Sequence, residues 1–97
     1  MANFVILLRW TAKGIEHVKD SPVRFEHFRE TVEAVGGELL SFHMTLGQYD
    51  MMAIIDVPDD EAAAKMELAV RAVGTVDIET LRAFDENEFR KLITDMP

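Results

Sequence analysis

The feature that most constrains this chain is the run from Leu40 to Val57. Leu40, Phe42, Met44 and Leu46 alternate with Ser41, His43 and Thr45, the period of two that a half-buried strand requires. Gly47 and Gln48 interrupt the pattern, and "YDMMAIIDV" then runs on as a second apolar segment of similar length. Two such segments joined by a short glycine-containing connection predict an antiparallel hairpin. In this hairpin Gly47 supplies a positive φ and Tyr49 opens the second strand. A hairpin alone is marginal in water, so the flanking sequence has to provide more strands and a cover.

It does so in a regular order. "NFVILLRW", Asn3 to Trp10, is β-branched and aromatic-rich and too short for a buried helix. Phe4, Ile6, Leu8 and Trp10 point one way, Val5, Leu7 and Arg9 the other, so a strand covered on both faces is expected. "TAKGIEHVKDSP" breaks the pattern with Gly14 and Pro22 and predicts a loop with a helical turn. Ser21-Pro22 then opens a helix, the serine capping free amides and the proline suiting the first turn. Phe25, Phe28, Val32 and Val35 make one apolar stripe of that helix, and Gly36-Gly37 ends it. Pro58-Asp59-Asp60-Glu61 starts a second helix, with acidic residues at its positive end. Its buried stripe is Ala62, Met66, Ala69, Val70 and Val73, and Gly74 stops it. "TVDIETLRAF" supplies a fourth strand, and Asp85 or Asn87 begins a terminal helix carrying Phe89, Leu92 and Ile93.

The resulting β-α-β-β-α-β order with a C-terminal helix is the α+β, ferredoxin-like arrangement: one antiparallel four-stranded sheet with its helices on one face. Residues 1–97 form one domain on this reading, without linker or repeat.

The net charge is −8, from 18 acidic and 10 basic residues, and the sequence has no cluster of Lys and Arg of the kind that nucleic acid binding needs. That charge also gives a membrane surface no long-range attraction. Cysteine is absent, which removes disulfides and thiolate metal sites. The apolar N-terminal run is short and lacks a basic start, so neither a leader nor a membrane span is expected. A cytoplasmic protein without metal or cofactor is the expectation. The three histidines lack metal-binding spacing. Gly36-Gly37 closes a helix rather than opening one, as a phosphate loop would. Nothing singles out His43 as a haem ligand.

With both helices on one side, the other sheet face is left open. Ser41, His43 and Thr45 belong to it, with Val5 and Leu7. For the third strand two phases are open: Tyr49, Met51, Ala53 and Ile55 face the helices, or Asp50, Met52, Ile54 and Asp56 do. The two aspartates make the second set the poorer candidate for the helix side. An apolar face of this size asks for cover, and a second copy on a two-fold axis gives a homodimer or higher homo-oligomer. The polar residues near it form the candidate ligand site: Arg9, Ser41, His43, Thr45, Tyr49 and Asp50. His43 is the candidate general acid or base, and Tyr49 and Asp50 the candidates to orient it or line a pocket mouth. Arg9 and Arg82 are each candidates to pair with a carboxylate, Asp50 or Asp56 for Arg9, or to hold a substrate anion.

The segments "LRWTAKGI", "DSPVRFE", "GGELLSFHMTLGQYDMMAIIDVPDDEAA" and "ETLRAF", in this order, resemble the GYD-domain family over almost the whole chain. The signature falls on Gly47, Tyr49 and Asp50, with Gln48 in the variable position. The resemblance implies a ferredoxin-like domain similar to the dimeric α/β-barrel proteins. It supplies no established reaction and no catalytic residue, and the activities of the wider barrel group do not transfer by fold alone.

Three functions fit these residues. One is an oligomeric small-molecule binding or sensory module with its site on the open sheet face. Another is a cofactor-independent enzyme of monooxygenase or isomerase type, acting on a small aromatic or unsaturated acid through His43. The third is an oligomerisation unit with a filled face and no pocket.

Overall fold

Strand β1, Ala2–Trp10, is the centre of the molecule. A computed structural model describes residues 1–97. β1 is followed by a short helix α1, Ala12–Glu16, a 3-10 turn at Val18–Asp20, and helix α2, Ser21–Ala34. Then come β2, Glu38–Met44, β3, Met51–Val57, helix α3, Asp60–Val73, β4, Val76–Ala83, and helix α4, Glu86–Asp95. The sheet order is β2-β3-β1-β4 and every pairing is antiparallel. This is the ferredoxin-like α+β arrangement that the element order implies.

The register settles the phase of β3. Phe4, Ile6 and Leu8 of β1 and Met51, Ala53, Ile55 and Val57 of β3 are buried beneath the helices. Met52, Ile54 and Asp56 lie on the open face, because each pairs with Leu7, Val5 or Asn3. A register shift between Leu39 and Ser41 puts Leu39 opposite Ile55 and leaves Leu40 as a bulge. The alternation expected from Leu40 therefore begins at Phe42 instead. Leu39 takes the inward place that the pattern assigned to Leu40, which is half exposed.

Three other local expectations are corrected. The hairpin connection is longer than a tight turn: β3 begins at Met51, so Tyr49 and Asp50 belong to the loop. Leu46 lies in that loop too, almost fully exposed. Gly47 does take the positive φ, 109°. Ser21 is the first residue of α2 rather than its cap, and its hydroxyl accepts from Arg24 Nη2 at 3.1 Å. At the terminal helix, Asp85 is the cap. Its carboxylate accepts from Glu88 N–H while Glu88 accepts from Asp85 N–H, a reciprocal capping box.

Packing is uneven along the helices. Val32 of α2 and Ala62, Ala63 and Met66 of α3 are buried over the end of the sheet that holds Phe4, Ile55 and Val57. Toward the other end burial declines: Phe25 and Val70 are only partly covered and Val73 is 56% exposed. Antiparallel helices that close at one end and part at the other leave a wedge.

Helix α4 stands apart from this packing. Phe89, Leu92 and Ile93 are all more than half exposed. The tie between its first turn and the sheet is Arg82, whose Nη2 lies 3.4 Å from Glu88 Oε2. Arg82 also donates to Asn3 O and stacks on Phe84. Its role in the structure is thus to join β1, β4 and α4.

Candidate ligand-binding site

The wedge is a cavity of about 530 Å³ between α2, α3 and the sheet. Its floor is the end of the sheet where β1 finishes, β3 starts and β4 starts: Leu8, Trp10, Met51 and Val76. β2 contributes Phe42 and Met44, and α3 contributes Ala69, Val70 and Val73. On the α2 wall, Phe25 and Phe28 are apolar, and the Phe25 ring is 4.4 Å from that of Phe42. The small side chain of Ala69 on α3 is one reason the space is not filled.

The helical polar groups of the cavity come from α2 alone. Ser21, Arg24, His27 and Thr31 recur every three or four residues and so share the side of the helix that meets the wedge. Arg24 Nη2 donates to Gly14 O at 3.0 Å and to Ser21 Oγ, which fixes the guanidinium at the cavity edge. The sequence signal for this site was the mixed stripe Ser21, Arg24, His27, Thr31 beside the aromatic one. His27 reads as solvated when only its neighbours Arg24 and Glu30 are considered.

The wall containing Trp10 is held from outside the cavity by the loop Gly47–Asp50. Trp10 N–H donates to Asp50 Oδ2 at 2.9 Å, and Asp50 N–H donates to Leu8 O at 2.9 Å. Thr45 closes the same loop, its N–H donating to Asp50 O and its hydroxyl to Tyr49 O. Asp50 and Thr45 are thus committed to backbone partners, and their loop fixes the end of β1.

The six residues singled out by sequence fall into three places. His43 and Ser41 lie on β2, on the open face, in register with Met52 and Ile54. Thr45 and Asp50 brace the loop. Arg9 and Tyr49 meet at the opposite side of the open face, where the Arg9 guanidinium sits 4.3 Å above the Tyr49 ring and its Nε donates to Gln48 O at 2.7 Å. Arg9 forms no ion pair with Asp50 or Asp56. Tyr49 OH donates to Glu79 Oε2 at 2.6 Å. That bond to Glu79 raises the phenol pKa above 10.0, desolvation and the Glu79 charge adding to it while Arg9 opposes it. Arg9, Tyr49, Asp77 and Glu79 edge a shallow hollow of about 400 Å³. His43 and Glu79 share one row across four strands, His43–Met52–Leu7–Glu79, so roughly 14 Å of sheet separates them. The structure does not bring His43 and Tyr49 together.

Comparison with known proteins adds the following. The chain matches the family described as GYD domain over residues 4–93. No curated protein sequence matches it. Its fold is similar to the crystal structure of TTHA0845 from Thermus thermophilus, with a TM-score of 0.57, 20% identity, and coverage of 88% of this chain and 95% of that one.

Proposed function

Since the chain belongs to the GYD-domain family, we propose that it is a homo-oligomeric module that binds a small apolar molecule in the wedge between helices and sheet. The observation that carries this reading is the cavity itself. A volume near 530 Å³ with mainly hydrophobic lining and a few polar groups on one wall has the size and make-up of small-molecule sites. Catalysis has less support there. Ser21 Oγ is engaged by Arg24, and no hydrogen bond joins His27 to a carboxylate, so a nucleophile–base pair is not assembled.

Trp10, the sole tryptophan, lines the cavity and reports on it. Apolar probes of graded size should shift its emission and raise the melting temperature, as any ligand selective for the native state must. If no probe in such a series does either, the reading is wrong.

The oligomer in this proposal is a pair of copies meeting through the open sheet face. Val5, Leu7, Met52, Ile54 and Leu81 form its apolar centre. A two-fold axis between the sheets and parallel to the strands carries β2 of one copy over β4 of the other. Each row then meets itself reversed, with Met52 over Leu7, Ile54 over Val5, and His43 over Glu79 of the second copy. Light scattering that finds only monomer at micromolar concentration would remove this part of the proposal.

The second reading is a cofactor-independent enzyme acting on a small aromatic or unsaturated acid. It draws on the hollow beside Tyr49, where Arg9 could hold an anion next to a phenol whose pKa is raised by its bond to Glu79. Turnover of such an acid that is lost in both Tyr49→Phe and Arg9→Gln would favour this reading over the first.

A further inference from the structure

The charge distribution around the wedge limits what can enter it. Of 97 residues, 18 are acidic, yet no carboxylate lines the cavity, and its one permanently charged side chain is Arg24. Four of the six arginines, Arg29, Arg71, Arg82 and Arg90, are in ion pairs with glutamates. Arg24 is not. Its Nη2 is spent on Gly14 O and Ser21 Oγ, while Nε and Nη1 have no protein partner.

A half-buried guanidinium that is fixed through one nitrogen and free at the others is an acceptor-seeking group held in position. It is pinned to backbone and hydroxyl oxygens, both neutral, and no carboxylate is paired with it. The lining on the sheet and α3 is Leu8, Phe42, Met51, Val70 and Val76, which gives a polyanion such as a phosphate ester nothing to bond. A net charge of −8 repels an anion at long range; at the wedge it meets a cation at the edge of an apolar chamber.

We propose that the wedge selects amphipathic monocarboxylates, with the carboxylate on Arg24 and the apolar body against the floor of the sheet. The proposal rests on the ligand-binding reading above and adds the class of ligand. One negative charge is implied because Arg24 alone can offset the cost of bringing a charge to that edge. His27, one turn along α2, contributes a second donor on the same wall.

The test compares matched acids and alcohols by Trp10 fluorescence and thermal shift: decanoate with decan-1-ol, and 2-naphthoate with 2-naphthylmethanol. The wild-type protein should bind at least one acid tenfold or more tighter than its alcohol. Arg24→Met should bring the two to parity while leaving the alcohol's affinity within about twofold, and Arg24→Lys should retain part of the preference. Retained alcohol binding shows that the variant is folded and its cavity intact. Val70→Phe, which fills the wedge, should weaken acid and alcohol alike. Equal binding of acid and alcohol by the wild type overturns the monocarboxylate proposal and leaves the cavity reading standing. So does an acid preference that survives in Arg24→Met. Failure of all four probes to bind removes both.

Discussion

Gly14→Ala tests whether α1 is docked against the turn before β4, where its Gly14 carbonyl holds Arg24 at the cavity edge. A Cβ at Gly14 would stand 1.9 Å from Thr75 O, against the 3.0 Å below which such contacts essentially never occur. Either α1 or the turn before β4 must then retreat by about 1.1 Å. That movement strips three hydrogen bonds that meet there: Thr11 N–H to Thr75 O at 3.1 Å, Thr11 Oγ1 to Gly74 O at 2.7 Å, and Arg24 Nη2 to Gly14 O at 3.0 Å. At about 0.5–1.5 kcal/mol each the loss is about 1.5–4.5 kcal/mol. Alanine's better helix propensity returns up to about 1 kcal/mol, so the net is destabilisation by about 2 kcal/mol. For a chain of this size that lowers the melting temperature by roughly 8–16 °C, measurable by circular dichroism or calorimetry. Gly47→Ala is the contrasting case: nothing lies within 4 Å of its Cβ, and the cost is the strain of a φ of +109°, about 1–2 kcal/mol. An unchanged or raised melting temperature for Gly14→Ala would mean that propensity outweighs contact and that α1 is not docked against Thr75.

The same structure makes three shorter predictions. Tyr49, the sole tyrosine, should titrate above its usual pKa of 10.0 because it donates to Glu79. A raised folded-state pKa means stability that is complete below the unfolded value of about 10 and lost as pH rises through the folded value. Ultraviolet titration of the phenolate should show the midpoint falling in Glu79→Gln, and coincident curves would discount the bond. Thr80 Oγ1 is buried without a partner, so Thr80→Val should stabilise by about 1 kcal/mol in chemical denaturation; destabilisation would show that the hydroxyl has an acceptor after all. Asp50→Ala removes the acceptor of Trp10 N–H and should cost about 1–2 kcal/mol together with a red shift of Trp10 emission. Unaltered emission would detach the loop from the cavity wall.

Much of the fold could be read from local patterns, because each depends on neighbours in sequence. Composition and length gave β1, alternation the second half of β2, glycine marked the ends of α2 and α3, and the aspartates of β3 identified the face that could not be buried. What escaped depends on partners far along the chain. Tyr49 and Asp50 look like the start of a strand, but Asp50 turns out of it to meet Leu8 O and Trp10 N–H, some forty residues earlier. The bulge at Leu40 exists because Leu39 finds the inward place opposite Ile55, which no period shows. The wedge was illegible for a related reason. It is a difference between two volumes, the span of the parted helices and the small side chains of α3 between them, and neither is a property of one segment. Arg24 and His27 look like solvated flank residues until α2 is placed over that gap.

The bulge has a consequence for one free edge of the sheet. β2 is an outer strand of the sheet, and an outer strand offers backbone donors and acceptors that can template a foreign strand, and then a fibre. At Leu40 the ladder loses its spacing, so an added strand that pairs with Ser41–Met44 falls out of step before it reaches Glu38. Open-ended growth from this edge is thereby blocked in the middle of the strand.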